Sequence, residues 1–395
     1  MQAARGKNHL VSARYINERG DFGLETEHRF FYEDSRKMSA VKSDSIDLVI
    51  TSPPYPMIEM WDEQFSELNS DVNLALQNSD YSRAFETMHR ELDKVWGELF
   101  RVMKKGALAC INIGDAARTI NKRFQLFANH ARIQKIFIAL GFDVLPLILW
   151  RKQTNAPNKF MGSGMLPAGA YVTLEHEYIL LFRKDAKRVF FTKEEKLNRR
   201  QSAYFWEERN AWFSDLWDFK GTRQGTNNCE TRSRSGAFPF VLPFRLINMY
   251  SVYGDTVLDP FSGTGTTALA AMTAGRNSIN YELDGGFSAP FNDSIFIEVH
   301  GLKHYNQERI RKHLEFVKRY QSEKGCLKYE NSYFGFPVMT RQEEDLKFFY
   351  AKSVFEVEKN NYKLFYFEDR DVQAFEPEGL IQDQLQFTTG TDPAD

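Results

Sequence analysis

The sequence has little cysteine and no long apolar run. Its three cysteines, Cys110, Cys229 and Cys326, lie far apart in 395 residues and form no CxxC pair. Neither a disulfide framework nor a zinc site is therefore expected, and this cysteine usage suits a reducing cytoplasm. The longest apolar stretch, residues 140–150, contains an aspartate and a proline and is too short to span a membrane. No apolar segment follows the first residues, so no secretory signal is expected.

Net charge is also small, because the 51 Lys and Arg residues are nearly balanced by 53 Asp and Glu residues. Composition alone therefore gives no general attraction to nucleic acid. The charge is unevenly distributed: residues 183–235 carry 13 basic and 8 acidic side chains, whereas residues 341–395 carry 6 and 13. A local basic surface is expected of a region that binds a polyanion, although a solvated surface gives the same count.

Short apolar runs alternate with segments of helical spacing. The runs predict strands at residues 30–32, 46–50, 107–113, 144–150, 178–182, 256–258 and 278–281, and the spacing predicts helices at 81–103, 133–140, 240–250 and 266–274. This alternation predicts an α/β fold, with a mostly parallel sheet and helices on both faces. Two segments interrupt this alternation. One is residues 183–236, which are basic and aromatic. The other is residues 291–395, for which a helix at 304–320 and short strands such as 362–367 are predicted.

A glycine-containing loop, Asp259–Thr267, follows one of these strands. In open α/β sheets, ligands bind at the carboxyl ends of the strands. The glycines allow a tight turn, and the helix that starts near Thr266 directs its positive end at the loop, which suits a phosphate or a carboxylate. No lysine follows the glycines, so a P-loop is excluded. Glu282 ends the next strand, where a carboxylate can bind a ribose diol. A nucleoside cofactor is predicted, with a structural turn as the alternative for the loop alone.

A second segment, Ser52-Pro53-Pro54-Tyr55, follows the strand at 46–50. The prolines remove backbone donors, so the carbonyls there become outward acceptors. Ser52 adds a hydroxyl and Tyr55 a flat face for stacking. Such a loop can bind an exocyclic amino group, and accepting both of its hydrogens frees the nitrogen lone pair for attack. The alternative is a rigid turn with a tyrosine in the core.

In this order, the two segments resemble those of the S-adenosylmethionine-dependent amino-group DNA methyltransferases of the permuted β arrangement. Ser-Pro-Pro-Tyr is typical of the cytosine-N4 enzymes, and Asp- or Asn-Pro-Pro-Tyr of the adenine-N6 enzymes. The resemblance implies a catalytic domain of residues 28–182 and 237–290 with the methyltransferase fold. It implies a target-recognition region at 183–236, and it leaves 291–395 as an accessory region of unknown role.

The resemblance also implies the site residues and the cofactor, S-adenosylmethionine, with no metal. Asp34 matches the position that meets the adenine, and Glu282 the ribose carboxylate. The implied catalytic residues are Ser52, Pro53, Pro54 and Tyr55. The implied cofactor-binding residues are Asp34, Phe238, Asp259, Phe261, Ser262, Gly263, Thr264, Gly265, Thr266, Thr267 and Glu282.

The predicted activity is methyl transfer to N4 of a cytosine flipped out of double-stranded DNA, as in a restriction–modification system with a cognate endonuclease as a partner. Adenine-N6 transfer is the alternative within this class, and a DNA-binding protein without catalytic activity is the alternative outside it. No cysteine follows a proline, which disfavours cytosine-C5 chemistry. Arg223, Arg232 and Arg234 are expected to contact DNA bases or phosphates.

Asp115 ends another predicted strand, after Ile111-Asn112-Ile113-Gly114, at the same edge of the sheet. It can either line the pocket or cap the next helix. The aromatic residues between Tyr204 and Trp217 favour a core of the recognition region over a platform for stacking bases.

Overall fold

The computed structural model describes residues 15–16, 22–120, 123–152, 161–162, 165–221 and 238–368. Within these residues, one ten-stranded sheet forms the centre of the molecule. Its strands are β1 (Glu25–Phe31), β2 (Ile46–Thr51), β3 (Met103–Ile113), β4 (Phe142–Arg151), β5 (His176–Lys184), β6 (Leu216–Asp218), β7 (Thr256–Asp259), β8 (Asn277–Tyr281), β9 (Tyr350–Glu358) and β10 (Asn361–Phe367). Their order in the sheet is β6-β4-β5-β3-β2-β7-β8-β1-β10-β9. Four short antiparallel pairs are Tyr15–Ile16 with Phe22–Gly23, Ala116–Ile120 with Arg123–Phe127, Met161–Gly162 with Ala170–Tyr171, and Tyr329–Glu330 with Pro337–Val338.

The central strands of the sheet are parallel. β3, β2, β7, β8 and β1 all run in one direction, while β5 and β10 join the two sides of this group in the antiparallel sense. Every residue of β2 is buried, as expected for a strand that is covered on both faces. The predicted α/β class with a mostly parallel centre is confirmed, and the carboxyl ends of the parallel strands share one edge.

Helices cover both faces of the sheet. Leu48 and Ile50 of β2 point into one apolar cluster and Val49 into the other, as the alternation of side chains along a strand requires. The helices are α1 (Asp62–Leu68), α2 (Ser70–Gln77), α3 (Tyr81–Val102), α4 (Asn129–Leu140), α5 (Lys193–Gln201), α6 (Trp206–Trp212), α7 (Val241–Tyr250), α8 (Thr266–Thr273) and α9 (Ser288–Lys324). The second cluster contains residues of α3 and α4, and the first contains residues of α7, α8 and the start of α9.

The region after residue 290 packs against the same sheet. Its helix, α9, is much longer than the predicted helix at 304–320 because it starts at Ser288, directly after β8 and a short turn. Phe291 and Ile295 near its start are buried in the cluster that covers β2. Farther along, β10 pairs with β1 and brings β9 with it. The sheet that carries the two motif segments therefore extends into this region.

The aromatic residues between 204 and 217 do not form a core of their own. Trp212 and Trp217 are buried in the same cluster as β2 and β4, because β6 joins β4 in the main sheet. Phe205 instead stacks on His313 of α9, with ring centroids 3.9 Å apart. The described part of the predicted recognition region is thus packed on both the sheet and the C-terminal region.

Candidate active site

The tetrapeptide and the glycine loop lie side by side at the carboxyl edge of the sheet. Their strands, β2 and β7, are neighbours, and Val49 is in register with Leu258. At the strand ends, Thr51 Oγ1 donates a hydrogen bond of 2.6 Å to Asp259 Oδ1. This bond links the residue before the tetrapeptide to the first residue of the glycine loop, although 208 positions separate the two in the sequence.

The Asp259 carboxylate anchors the glycine loop through hydrogen bonds. Besides the bond from Thr51, it accepts from Thr267 Oγ1 at 2.6 Å and from the Phe261 amide at 3.0 Å. The side chain is almost completely buried, and this burial raises the pKa of Asp259 to about 6, while the three donors act in the opposite direction. The carboxylate therefore joins β2, the loop and the start of α8. Its predicted contact with a ligand ammonium stays a prediction.

The two glycines of the loop have different surroundings. Both have positive φ, 49° at Gly263 and 82° at Gly265, a region that side chains disfavour. A Cβ on Gly265 would lie 2.5 Å from the Phe291 ring, whereas a Cβ on Gly263 would meet nothing within 4 Å. Gly265 is therefore required by packing inside the protein, and Gly263 borders open space.

Glu282 is fixed beside this open space. Its Oε2 accepts a 2.8 Å hydrogen bond from the Gly263 amide, and its Oε1 accepts a 2.9 Å bond from the Asp284 amide. Burial raises the pKa of Glu282, and the two amides lower it, with a net increase. The predicted ribose carboxylate thus stands at the end of β8, next to the glycine loop.

Asp34, the predicted adenine contact, follows β1 and is bound by Arg36. The Arg36 side chain donates to both carboxylate oxygens, at 3.1 and 2.8 Å, and its amide donates to Oδ1 at 2.8 Å. Burial opposes ionisation here, but Arg36 holds the pKa of Asp34 below its ordinary value. Arg36 also pairs with Glu91 of α3 at 2.5 Å, so the position of Asp34 is fixed from α3.

The remaining cofactor candidates make contacts within the protein. Phe238 is buried in the core with α7 and α8, and Phe261 meets Trp96 edge-on, with centroids 6.0 Å apart. The Ser262 amide donates to the Tyr281 carbonyl at 2.8 Å, which ties the loop to β8. The hydroxyls of Thr264 and Thr266 lie 3.4 Å from each other.

Around the tetrapeptide, side chains from four strand ends form a hydrogen-bond network. Tyr55 Oη lies 3.1 Å from Ser52 Oγ and 2.9 Å from Glu177 Oε2. Asn112 Nδ2 lies 2.9 Å from Tyr55 Oη and 2.7 Å from Glu177 Oε2, and Lys152 pairs with Glu177 Oε1. Burial, and then the charge of Glu177, raises the pKa of Tyr55 well above its ordinary value, so the phenol is neutral.

Sequence reasoning missed Asn112, Lys152 and Glu177 as site residues. A signal was present, because Asn112 stands between two isoleucines in β3 and Glu177 lies at the start of the apolar strand β5. The sequence could not show that Asn112 and Glu177 contact each other, because β3 and β5 are far apart along the chain. Gly114, after β3, leaves room for the network: a Cβ there would lie 3.0 Å from the Tyr55 ring and 3.4 Å from Glu177 Cγ.

The backbone of the tetrapeptide offers an unused acceptor. The Tyr55 carbonyl accepts from the Ile58 amide at 3.1 Å in a turn. Among the residues that the structure describes, no donor reaches the carbonyl of Pro53. Pro53 and Pro54 have no N–H groups that could compete beside it. Ser52 and Pro53, which directly follow β2, thus bring a hydroxyl and a carbonyl to this edge of the sheet.

Asp115 caps the following helix. Its carboxylate accepts from the His130 amide at 3.2 Å and contacts the His130 ring nitrogen Nδ1 at 2.8 Å, at the start of α4. Of the two predicted roles, the structure shows the cap.

The three predicted DNA contacts, Arg223, Arg232 and Arg234, lie outside the described residues. In the part that is described, no group of three or more His, Cys, Asp or Glu side chains could hold a metal ion. No helix of that part has the length and apolar character needed to cross a membrane.

This edge, with a glycine loop beside a cluster of polar side chains at the ends of parallel strands, is where enzymes of this fold class bind their ligands. A family profile described as DNA methylase (N6_N4_Mtase) matches residues 46–289. The chain therefore belongs to this DNA methylase family.

Two relatives match this chain over most of its length. The Type II methyltransferase M.MthZI of Methanothermobacter thermautotrophicus is 49% identical over 347 residues, 87% of this chain and 96% of that protein. M.MjaI of Methanocaldococcus jannaschii, also a Type II methyltransferase, is 46% identical over 309 residues, 75% and 98% of the two chains. The structure of a putative DNA modification methylase from Thermus thermophilus, complexed with S-adenosyl-L-methionine, has 32% identity and a TM-score of 0.51, and the match covers 67% of this chain and 93% of that one.

Proposed function

We propose that this DNA methylase transfers a methyl group from S-adenosylmethionine to the exocyclic N4 of a cytosine flipped out of double-stranded DNA. We propose further that it is the modification enzyme of a Type II restriction–modification system, as the names of two relatives at 49% and 46% identity suggest. A cognate endonuclease that acts on the same site is part of this proposal.

The residues at the glycine loop fit the cofactor. Open space borders Gly263, and the Glu282 carboxylate stands beside that space, held by two amides. The first turn of α8 starts at Thr266, and its free amides suit the cofactor carboxylate. When bound, S-adenosylmethionine supplies an electrophilic methyl group on a sulfonium sulfur. Glu282 would bind the ribose, and Asp34 would meet the adenine.

One observation carries the choice of an amino group as the target. Ser52 and Pro53 come directly after Thr51, which is bonded to Asp259 of the glycine loop; they supply a hydroxyl oxygen and a carbonyl to which no donor among the described residues is bonded. Two adjacent acceptors match the two hydrogens of an exocyclic amino group. They would bind it more strongly as its nitrogen becomes tetrahedral, which favours the transition state.

The chemistry needs no covalent intermediate with the protein. The nitrogen lone pair forms the new bond to the methyl carbon as the sulfur–methyl bond breaks, and its electrons stay on sulfur. The nitrogen then loses one proton to solvent. Ser52 and Pro53 hold the two hydrogens of the amino group, and Tyr55 supports the flipped ring. Their common role is orientation, which removes much of the entropic barrier of a two-substrate reaction.

Cytosine is favoured over adenine by the serine at position 52, where adenine enzymes of the resembled group carry Asp or Asn. The test is nucleoside digestion and mass spectrometry of DNA from a methylation-free host that expresses the protein. N4-methylcytosine is expected, and cells with the Tyr55→Ala variant serve as the control without product. N6-methyladenine as the main product would overturn the cytosine assignment and leave the amino-group chemistry intact.

The same proposal includes the division of the chain. Residues 28–182 and 237–290 would form the catalytic part, and residues 183–236, with their excess of basic side chains, would recognise DNA. The supporting feature is position: β6, in the described part of the recognition region, joins the sheet beside β4, and β4 and the next strand, β5, carry Lys152 and Glu177 at their ends.

A further inference from the structure

The network behind the tetrapeptide has a fixed hydrogen-bond direction. The Glu177 carboxylate, paired with Lys152, can only accept hydrogen bonds. Its Oε2 lies 2.7 Å from the Asn112 amide, so the amide nitrogen, and not the oxygen, faces it. The one proton of the Tyr55 hydroxyl points at the same oxygen, 2.9 Å away.

The direction of the hydrogen bond between Tyr55 and Glu177 determines the direction of the bond between Ser52 and Tyr55. With its proton given to Glu177, Tyr55 Oη can only accept from other neighbours. Ser52 Oγ, 3.1 Å away, must therefore donate to Tyr55. A free serine hydroxyl donates or accepts equally well, but this one has its proton turned inwards and keeps its lone pairs for the pocket.

We propose that Glu177 is a specificity-determining positioning residue: acting through Tyr55, it makes the Ser52 hydroxyl an acceptor, so that the pocket selects an amino group and rejects a carbonyl oxygen at the same place. The inference rests on the proposed function, because the target base is taken to meet Ser52. Two acceptors, Ser52 Oγ and the Pro53 carbonyl, would then face the oxygen of a wrong base, and buried unpaired acceptors give strong rejection.

The burial of the network makes this direction stable. Glu177 is 8% exposed and Asn112 is 2% exposed, so few water molecules can take over the bonds. A Cβ at Gly114 would lie 3.0 Å from the Tyr55 ring and 3.4 Å from Glu177 Cγ, so the backbone there passes close to both side chains.

An isosteric change separates this role from simple packing. In Glu177→Gln, the new amide can donate to Tyr55 Oη. The Tyr55 proton is then free to turn to Ser52, and the Ser52 proton can turn to the pocket. The shape stays nearly the same while the hydrogen-bond direction is reversed.

The experiment measures binding, not turnover. Fluorescence anisotropy, with S-adenosylhomocysteine present, gives the affinity of the full-length protein for two duplexes that carry its methylation site, one with cytosine and one with uracil at the target position. At position 4, cytosine carries an amino group and uracil carries a carbonyl oxygen. The cost of flipping each base is the same for every variant, so it cancels when preference ratios are compared. The cytosine preference is expected to fall at least tenfold in Glu177→Gln.

Two further variants complete the test. Glu175→Gln removes the same charge from an exposed side chain two residues earlier, and its preference is expected to equal that of the wild type. Tyr55→Phe keeps the ring but removes the acceptor of the Ser52 proton, so its preference is expected to fall as in Glu177→Gln. If thermal unfolding shows that Glu177→Gln is not folded, Tyr55→Phe decides.

An unchanged preference in the folded Glu177 and Tyr55 variants overturns the inference. So does an equal loss of affinity for both duplexes, because that is the result of a purely structural role. If the wild-type product is N6-methyladenine, the cytosine assignment has failed by itself. The same comparison is then made with adenine and hypoxanthine, which also differ in amino group against oxygen.

Discussion

Alanine at the two loop glycines should separate cofactor binding from folding. Gly263 and Gly265 are two residues apart and both have positive φ. A methyl group on Gly263 would enter open space, whereas one on Gly265 would lie 2.5 Å from Phe291 Cε2 and 2.6 Å from Cδ2. If the open space is the cofactor site, the Gly263 methyl group affects the ligand and the Gly265 methyl group affects the protein core.

The sizes of the two effects follow from this geometry. Left-handed backbone costs a non-glycine residue about 1–2 kcal/mol, and this term applies to both variants. Overpacking adds about 1–3 kcal/mol, which falls on the free energy of unfolding in Gly265→Ala. In Gly263→Ala, a similar term falls on the complex. About 2 kcal/mol of lost binding free energy corresponds to roughly 30-fold weaker affinity for S-adenosylmethionine.

Urea unfolding and titration calorimetry measure the two quantities separately. Gly263→Ala is expected to unfold within about 2 kcal/mol of the wild type and to bind S-adenosylmethionine far more weakly. Gly265→Ala is expected to be the less stable of the two. Wild-type affinity in a folded Gly263→Ala protein would refute the placement of the cofactor at this loop.

Three other predictions concern the Asp259 carboxylate, the tetrapeptide and the predicted recognition region. The pKa of Asp259, about 6 when folded against an ordinary 3.8, means that the unfolded chain binds fewer protons between these values. The stability of the wild type relative to Asp259→Asn should therefore fall by about 2 kcal/mol from pH 4 to pH 6 in urea unfolding, and parallel curves would exclude this. Ser52→Ala and Tyr55→Ala should still bind cofactor and DNA but lose single-turnover methylation; a loss of DNA affinity alone, with single-turnover methylation intact, would remove both from catalysis. Replacing the three predicted DNA-binding arginines by alanine should weaken DNA binding and reduce its salt dependence. An unchanged salt slope would place recognition elsewhere. These arginines are Arg223, Arg232 and Arg234.

The sequence by itself determined the fold class and the two motif loops. Both depend on local patterns: apolar runs of strand length, helical spacing between them, and loops of proline or glycine where strands end. β2 and β7, which precede the loops, were therefore predicted nearly in full. The start of α9 was missed, because residues 288–303 lack a clear amphipathic pattern. Phe291, Ile295 and Leu302 lie in the same buried cluster as α7 and α8, a contact that only the fold creates.

Only the tertiary structure decided how the site is connected. Tyr55 and Glu177 are 122 positions apart, and Thr51 and Asp259 are 208 apart. These bonds exist because the sheet places β2 between β3 and β7 and puts β5 beside β3. Strand order results from packing across the whole chain, and the spacing of residues along one strand carries no information about its neighbour. The sequence could thus name Ser52 and Tyr55, but the direction of the hydrogen bond between them depends on Glu177, a residue that only the folded sheet brings to them.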